Sequence, residues 1–591
     1  MVLVAALLLF AYGFFQQQPA WNEYSRYDLV RALVEGGTTR IDAYHENTGD
    51  KAFYQGHWYS DKAPGSALLG VPVYGALALG GQLTGSGPPA QDEAIQALAF
   101  VVSGIPTVLL VLLLIAFLRP LVGERWSIAV GLAYGFGSMA FPFATLFFGH
   151  AASTFALFAA FYLLQRHRSR PTRWAPMAAG FLAGWAVLIE IPVAIGVVVL
   201  GLYALKIGRR AALAFIVGGV PMAVILAAYN WVSFGSPVSI GYMNLLPGAF
   251  ASGMSEGFLG VSWPDVDTLV DLLVGERGLL RLAPWLIVAP AGILALRRRD
   301  LRDDVIVCVV IVGLFLAYNA GYYLPFGGAT PGPRFLMPAL PFAAVLVALI
   351  SPRLRLLTTL LMLVGVAAFT VATVTIPIAP ERFGDPLFQL WLPRLASGQL
   401  AETAAWLRWG LGGFNGLAVL VVGLGMGVTT LAVSFGDSAR WARIAGRGAA
   451  VLAVLALAFS VPFPPPAPVA VGWPGLGAAP AISVFAVGHT PIRLGATEEI
   501  QLWVRFENRG GVVPASRLQF GVFDADGRGV WSAWYGHATV SAASRRTVRM
   551  TWSPPADLPA GSYRYGFSIT DEASGATLGQ GMAGGSITLE R

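Results

Sequence analysis

Long apolar runs separated by short basic segments make up most of this chain. The runs are about 15 to 25 residues long and recur up to residue 461, which is the length of helices that cross a bilayer. They predict a polytopic α-helical membrane protein. The composition agrees, since 56% of the 591 residues are hydrophobic and 12% are charged, whereas about 25% of the residues in a soluble domain are charged.

The basic segments predict how the chain crosses the membrane. Lys and Arg collect in short cytoplasmic loops, so an even number of crossings must separate any two of these segments. The apolar stretch 176–205 lies between two of them and is too long for one helix across a core of about 30 Å, which predicts two short helices. The break falls at "IEIP", residues 189–192, and places Glu190 at the outer membrane face. The basic segments are 119–125, 165–173, 206–210, 297–302, 352–355 and 439–447.

The same rule predicts about thirteen crossings, with the N-terminus in the cytoplasm and the C-terminus outside. It requires residues 66–83 to lie in the interface, or to dip in and return, so that 100–118 form the second crossing. The first run, 1–15, has no basic segment before it and no small-residue cleavage site, which indicates a membrane helix rather than a removed signal peptide. The net charge of +7 then reflects topology and not nucleic-acid binding. The long outer loops are 17–93, 233–278, 323–335 and 377–412.

The chain changes character after residue 461. The membrane domain is predicted over 1–465, and the proline-rich sequence "PFPPPAP" begins a stiff linker that extends over 466–480. Residues 481–591 alternate apolar and polar positions between Gly, Asp and Pro turns. This pattern predicts a small Ig-like antiparallel β-sandwich outside the membrane. Its expected role is to position an acceptor or a partner, and the alternative is a passive spacer.

The first outer loop, 17–93, concentrates the charge of the chain. The whole chain has 39 Lys and Arg residues, of which only three are lysines. Two of these lysines, Lys51 and Lys62, lie in this loop. Lys62 stands in "SDKAPG", between an aspartate and a Pro-Gly corner. Residues 24–36 have helical apolar spacing that ends at two glycines, which predicts a helix able to lie on the membrane.

Two short motifs in this loop resemble a known family. "EYSRY" (23–27) and "YSDKAPG" (59–65) are similar to the start and end of the first outer loop in polyprenyl-phosphate-dependent glycosyltransferases of the GT-C class. That class includes protein O-mannosyltransferases and lipid A aminoarabinose transferases. The later stretch 321–342 resembles their segment with an Arg-aromatic pair and spaced prolines. The chain departs from the pattern with Glu23 in place of Asp, with Tyr24 at the second acidic position, and with a longer loop.

The resemblance implies a GT-C-like fold and an inverting transfer of a sugar from a polyprenyl-phosphate donor. The acceptor would be an extracytoplasmic glycan, lipid or protein, at the inner (cytoplasmic) membrane of a bacterial-type cell. This chemistry needs a general base for the acceptor hydroxyl, typically worth about 10²–10⁴-fold, and fixed cations for the departing phosphate. The predicted base is Glu23, followed by Asp50 and Asp42; the predicted phosphate ligands are Lys62, Arg334, Arg26 and Tyr59; and His57, His150 and Glu190 are further candidates for substrate contact.

The chemistry requires no metal, although a pair of aspartates could hold Mg²⁺ or Mn²⁺. The single cysteine, Cys308, lies in an apolar run, which excludes disulfides and cysteine-based metal sites. Some candidates also have structural alternatives: Lys62 could pair only with Asp61, His150 could cap a helix, and Glu190 could bond backbone freed by a proline.

Three other functions fit parts of the pattern. A transporter or flippase predicts inverted repeats and charges near mid-membrane. A polymerase or ligase of polyprenyl-linked glycans predicts key arginines and a histidine in a large later loop. A non-catalytic envelope assembly factor would act through the β-sandwich.

Overall fold

In a computed structural model the chain forms two units. The first comprises Met1–Pro72 and Gln96–Pro462, and the second comprises Val73–Ile95 and Phe463–Arg591. The predicted linker 466–480, the basic segment 439–447 and the final apolar run lie outside the described residues. The structure describes residues 1–84, 89, 91–396, 398, 400–404, 413–434, 482–490, 493–494, 500–508, 513–540, 544–552, 554, 558–571, 575–582 and 586–589.

Helices dominate the chain up to residue 434. Short 3-10 or π segments join several of them, and these are His45–Asn47, Phe100–Gly104, Ile191–Val193, Gly241–Met243, Pro284–Arg297, Arg334–Ala339, Pro352–Leu354 and Leu387–Trp391. The α-helices are α1 Val2–Phe14, α2 Trp21–Glu35, α3 Gly65–Thr84, α4 Gln91–Ala99, α5 Ile105–Val122, α6 Glu124–Phe136, α7 Ala140–Ala144, α8 Gly149–Ser169, α9 Ala175–Ile189, α10 Ala194–Ile207, α11 Arg209–Phe234, α12 Ala249–Ser255, α13 Val266–Val274, α14 Leu279–Leu282, α15 Arg302–Ala320, α16 Leu340–Ala348, α17 Arg355–Thr375, α18 Leu392–Ala396 and α19 Gly413–Ser434.

Several of these helices are long and apolar enough to cross a membrane. Within the described residues five qualify by length and composition, and a sixth does if the pair Val266–Leu282 and Pro284–Arg297, bent by 98°, counts as one broken span. Further apolar helices are shorter, as α1, α9 and α10 are. The chain is therefore a multi-pass membrane protein, and the count of about thirteen crossings stays a prediction. The five long spans are Gly65–Thr84, Glu93–Val122, Arg209–Phe234, Arg302–Ala320 and Pro352–Thr375.

The structure confirms the predicted break at 189–192 and corrects the predicted re-entrant path of 66–83. Helix α9 ends at Ile189 and α10 begins at Ala194, so the apolar stretch is divided at "IEIP" as predicted. Residues 66–83, however, do not dip in and return, because they lie within the continuous 20-residue helix α3. Pro72 inside α3 removes one backbone hydrogen bond, and the apolar sequence around it has no polar turn at which the chain could reverse. An interfacial position for α3 stays a prediction.

The start of the first loop is attached to a distant part of the chain. After α1, the two-residue strand β1 (Phe15–Gln16) pairs antiparallel with β4 (Glu402–Thr403). Helix α2 begins three residues before the predicted start and ends at Glu35, in front of the predicted Gly36. Most of its polar residues are buried in protein, so α2 is a packed helix rather than one that lies only on the membrane surface.

The second unit contains two β-sheets around an apolar core. One sheet has the strand order β10-β7-β5, and the other has the order β6-β13-β11-β8-β9, with β12 also paired to β11. Neighbours are antiparallel except β13 and β6, which are parallel. Core side chains come from both sheets, among them Phe506 from one and Phe520 from the other, as in a sandwich. The strands are β5 Ile482–Thr490, β6 Arg493–Leu494, β7 Ile500–Asn508, β8 Val513–Phe523, β9 Gly529–Val540, β10 Ser544–Trp552, β11 Gly561–Asp571, β12 Thr577–Met582 and β13 Ile587–Leu589.

Candidate functional site

A β-hairpin in the first loop brings two aspartates together at its open end. Strands β2 (Lys51–Tyr54) and β3 (His57–Ser60) pair antiparallel, with Lys51 opposite Ser60. The turn between them has positive φ at Gln55 (49°) and at Gly56 (83°), the backbone of a tight two-residue hairpin turn. Because the pairing ends at Lys51 and Ser60, the flanking residues Asp50 and Asp61 lie side by side.

Lys62 lies between these two aspartates. Its Nζ is 2.8 Å from Asp50 Oδ2 and 2.9 Å from Asp61 Oδ2, and the Lys62 side chain is buried. The rings of Tyr242 and Phe250 lie over the ammonium group, at 5.4 and 5.9 Å from Nζ to the ring centroids. We call these two rings the aromatic cover. Lys62 is thus held by two ion pairs and is closed off by aromatic side chains.

The electrostatics of this cluster keep Lys62 charged. Burial alone lowers the pKa of Lys62, but Asp50 and Asp61 raise it to well above its ordinary value. Burial raises the pKa of Asp50, and Lys62 with Arg334 and Arg26 more than offsets this, so the net pKa is lowered. For Asp61, burial dominates and raises the pKa to about 6. Asp50 therefore has the lower pKa of the two aspartates, and it is also the more exposed, with 22% of its side chain exposed against none for Asp61.

The Pro-Gly corner after Lys62 packs directly on the end of α9. A Cβ at Gly65 would lie 2.6 Å from the backbone N of Ile189, so only glycine fits this approach. The corner fixes Lys62 relative to the break between α9 and α10, where Glu190 lies. This explains why the lysine precedes a corner in the sequence.

Arg26 connects α2 to that break. Its guanidinium donates from Nη2 to Glu190 Oε1 at 2.5 Å, from Nη1 to Ser66 Oγ at 2.5 Å and from Nε to Asn22 Oδ1 at 2.9 Å. All three partners are protein groups, and Arg26 is buried, so three of its five N–H donors are used within the protein. Arg26 therefore links α2 to Glu190, and its role as a phosphate ligand stays a prediction.

His150 and Arg334 lie on the other side of Glu190. His150 is the second residue of α8, and its Nδ1 lies 3.9 Å from Glu190 Oε1. Its ring packs edge-on against Phe335. The Arg334 guanidinium lies over the rings of Phe148 and Phe335, at 5.7 and 5.2 Å. Its buried Nε has no hydrogen-bond partner, and no carboxylate lies within ion-pair distance among the described residues. A small cavity beside His150 and Glu190 is lined by these two residues and by Pro192, Val193, Phe315, Phe335 and Pro338.

Glu23, the predicted base, has another set of contacts. Its Oε2 accepts from the backbone N of Ala20 at 2.8 Å, which caps α2, and its Oε1 accepts from the backbone N of Phe147 at 2.9 Å. The side chain is buried, and burial raises the pKa of Glu23 to about 7 against the opposing effect of these two hydrogen bonds. The Glu23 carboxylate therefore bonds to backbone N–H groups and not to Lys62.

The remaining predicted residues in the first loop are His57 and Tyr59 on the hairpin and Asp42, which contacts it. Asp42 Oδ2 contacts His57 Nδ1 at 2.8 Å, and Asp42 Oδ1 accepts from the backbone N of Trp58 at 2.6 Å. Both side chains of this pair are exposed. Tyr59 is buried with Ala52 and Phe234 and packs its ring on Phe234 at 5.3 Å. These residues shape and attach the hairpin.

Sequence reasoning missed Asp61 as a member of the site and missed the aromatic cover. The position of Asp61 next to Lys62 in the sequence indicates only a structural ion pair. Tyr242 and Phe250 stand in a long loop whose aromatic residues resemble ordinary membrane-interface anchors. No periodicity or motif in the sequence links residue 242 or 250 with residue 62.

Comparison with known proteins gives structural neighbours only. No family model matches the sequence, and no curated protein matches it. ArnT from Cupriavidus metallidurans bound to undecaprenyl phosphate is 15% identical, with a TM-score of 0.43, over 78% of this chain and 75% of ArnT. The arabinosyltransferase EmbB from Mycobacterium smegmatis is 12% identical, with a TM-score of 0.38, over 94% of this chain and 61% of EmbB.

Both of these neighbours are GT-C enzymes, the class that the loop motifs resemble. The C-terminal domain of wzt is also similar, at 12% identity and a TM-score of 0.17 over 19% of this chain and 75% of that domain. All these TM-scores are below 0.5, and the identities are too low to assign the chain to a family.

Proposed function

We propose that this protein is a membrane glycosyltransferase that moves a sugar from a polyprenyl-phosphate donor to a hydroxyl group of a glycan, lipid or protein acceptor. The observation that carries the proposal is the cluster at the hairpin end. It combines a charged lysine with a partly exposed aspartate. Arg334, which helps to lower the pKa of Asp50, has an Nε without a hydrogen-bond partner.

The two cations suit a lipid phosphate. Lys62 is a compact charge for one phosphate oxygen, and Arg334 presents planar donors for others. Arg334 lies close enough to Asp50 to lower the pKa of that carboxyl, so the two cations share one electrostatic neighbourhood. A phosphate between them would replace carboxylate contacts of Lys62 and would satisfy the unpartnered Nε of Arg334.

Asp50 is the proposed base. In a single displacement the acceptor oxygen attacks the anomeric carbon, and the bond from that carbon to the phosphate oxygen breaks. The electron pair of that bond goes to the phosphate, where Lys62 and Arg334 stabilise the charge. The proton of the attacking hydroxyl goes to Asp50, whose lowered pKa keeps it ionised at neutral pH. Glu23 is less suited because backbone N–H groups occupy both of its oxygens.

The residues present supply positive charge without a metal. The Lys62 ammonium group lies between Asp50 and Asp61, where a divalent ion bound by this pair would have to displace it. We therefore assign no step to Mg²⁺ or Mn²⁺.

The test is turnover by the purified protein in lipid nanodiscs. A panel of polyprenyl-phosphate sugars is supplied with envelope glycolipids as acceptors, and released polyprenyl phosphate is measured. We expect Asp50→Asn to lower turnover by about a hundredfold or more at unchanged donor binding, because a base acts mainly in the transition state. Full turnover in Asp50→Asn, Glu23→Gln and Asp42→Asn would defeat the mechanism. Donor carried across the membrane without release of phosphate would favour the flippase instead.

A further inference from the structure

The stretch from Phe258 to Val274 exposes a concentration of apolar side chains. Trp263 is 92% exposed and Phe258 is 79% exposed. Three valines of α13 are also exposed, namely Val266, Val270 and Val274. Isolated exposed apolar residues are ordinary, but a contiguous group of this kind indicates a surface that meets another apolar phase.

Helix α13 has three distinct faces. Leu272 is buried, and Leu269 and Leu273 are partly buried against the protein. Val266, Val270 and Val274 follow one another at every fourth residue and so form one exposed row. Asp267 and Asp271 lie on the next face, also exposed. A protein face, an apolar face and an acidic face around one helix are the arrangement of a helix that lies in a membrane interface.

The segment is attached to the end of a membrane helix. The backbone N of Asp265 donates to Ala320 O at 3.1 Å, and the backbone N of Ser262 donates to Gly321 O at 2.7 Å. Ala320 ends α15, which is a candidate span with its own exposed apolar row of Ile306, Val310 and Leu314. The apolar surface of the segment thus starts where an apolar helix end meets the membrane border.

The tip of the segment is held in a fixed shape. The backbone has positive φ at Gly257 (56°), at Leu259 (52°) and at Gly260 (78°). The backbone N of Tyr323 donates to Gly260 O at 2.8 Å, and a Cβ at Gly260 would lie 2.6 Å from the Tyr323 ring. This turn holds Phe258 outward on a braced loop, so its exposure is built into the backbone.

We propose that residues 258–274 dock into the membrane surface, with Phe258, Trp263 and the valine row at the boundary between headgroups and acyl chains. A lipid surface fits better than a protein partner for two reasons. The apolar patch continues from the end of a membrane helix, and Asp267 and Asp271 lie beside the valines on the face that would point to water. Aromatic side chains are the preferred anchors at that depth.

Docking also has a consequence for the candidate site. The aromatic cover, Tyr242 and Phe250, precedes the segment in the same loop and is attached to it through Tyr323, which contacts the Phe250 ring at 6.2 Å. The membrane surface therefore fixes the depth of the cover over Lys62. This consequence rests on no particular reaction.

The test places an environment-sensitive fluorophore on single cysteines in nanodiscs that contain only this protein and lipid. Cys308→Ser supplies the background, and the sites are Trp263→Cys, Val266→Cys and Val270→Cys, with Asp271→Cys as the matched control on the same helix. We expect blue-shifted emission and quenching by spin-labelled lipids at the first three sites, about 5–10 Å into the interface. The Asp271→Cys label should instead be quenched by aqueous iodide.

All labelled residues are exposed, so the variants should fold, and intact folding is checked by size-exclusion elution and thermal unfolding. Equal iodide quenching at all four sites would overturn the proposal, and a protein partner absent from the nanodisc would then be the occupant. The measurement uses no donor sugar, so its failure leaves the proposed glycosyl transfer untouched. Conversely, loss of the transferase proposal leaves the docking result standing.

Discussion

At Lys62, two opposing effects act on one ammonium group. Burial favours the neutral amine, and the two carboxylates at 2.8 and 2.9 Å favour the charged form. The carboxylates win, so the buried lysine stays charged. Lys51, in the same hairpin, bonds instead to His45 O at 2.7 Å and lies over the Trp58 ring at 4.7 Å. Two lysines eleven positions apart in the sequence therefore have different environments.

This difference gives a matched test of phosphate binding. Lys62→Ala and Arg334→Ala should each weaken undecaprenyl phosphate binding by about tenfold to 150-fold, since a hydrogen bond to a charged group is worth about 1.5–3 kcal/mol. Lys51→Ala should leave the affinity unchanged. Affinity is measured by lipid titration against intrinsic fluorescence, with folding checked by thermal unfolding. Wild-type affinity in both Lys62→Ala and Arg334→Ala would reduce the cluster to a structural corner.

Glu23 and Asp50 should separate into a structural and a chemical residue. Glu23→Gln replaces one of the two acceptor oxygens with an NH2 donor, so one of the two backbone N–H groups loses its acceptor. We expect the free energy of unfolding to fall by about 0.5–2 kcal/mol, as for a lost helix cap. Turnover per folded molecule should change little. In Asp50→Asn, by contrast, turnover per folded molecule should fall strongly and the free energy of unfolding should change little. A large loss of turnover in Glu23→Gln at unchanged stability would return the role of base to Glu23.

Asp28 predicts a pH dependence of stability. Burial raises the pKa of Asp28 from 3.8 to about 8, while Asn47, Arg31 and Lys51 oppose the rise. Because the folded state then binds more protons than the unfolded chain, this group stabilises the fold below about pH 4, and the contribution is lost as the pH rises through about 8. Asp28→Asn does not titrate. Its melting temperature relative to that of the wild type should therefore rise from pH 5 to pH 8, and a constant difference would contradict the assignment.

At the scale of elements, the hairpin decides which carboxylates meet Lys62. The pairing of Lys51 with Ser60 makes Asp50 and Asp61 neighbours, and the corner at Gly65 locks the lysine against the end of α9. The segment at Gly241 closes the other side, because a Cβ there would lie 2.6 Å from Asp61 Cα.

Gly241→Ala tests that closure. The added methyl group meets backbone, so it should push the segment away from Asp61 and cost about 1–3 kcal/mol, as overpacking does. We expect a lower melting temperature and weaker lipid-phosphate binding. The matched control is Gly248→Ala in the same loop, where a Cβ would meet no atom within 4 Å and should have no effect. Equal effects of the two substitutions would mean that contact with Asp61 is not what matters.

At the scale of the whole molecule, the property to measure is the membrane topology of the chain. With about thirteen crossings, an impermeant thiol reagent should label from outside a cysteine near Gly85 and one near Thr268 on the acidic face of α13, which points to water. A cysteine at Ser169 should stay protected, because Ser169 ends α8 among basic residues. Protection near Gly85 together with labelling at Arg119 would show that α3 crosses the membrane, for which its 20 residues are long enough.

The sequence alone determined those features that depend on neighbours along the chain. Apolar periodicity and the two glycines predicted α2, and the length between two basic segments predicted the break at Glu190. Both predictions hold because helix length and helix ends are properties of a short stretch of sequence. The motifs that contain Lys62 and Arg334 are also short stretches of sequence, so their resemblance to a known family predicted both residues as phosphate ligands.

Only the tertiary structure decided what each charged group contacts. Arg26 reaches Glu190 across 164 positions, and Glu23 accepts from Phe147 across 124. Such pairs form because packed helices bring distant positions together, and a buried charge must then find whichever partner lies there. The sequence placed Glu23, Asp42 and Asp50 in one list of carboxylates. In the packed structure Glu23 bonds to backbone, Asp42 pairs with His57, and Asp50 pairs with Lys62.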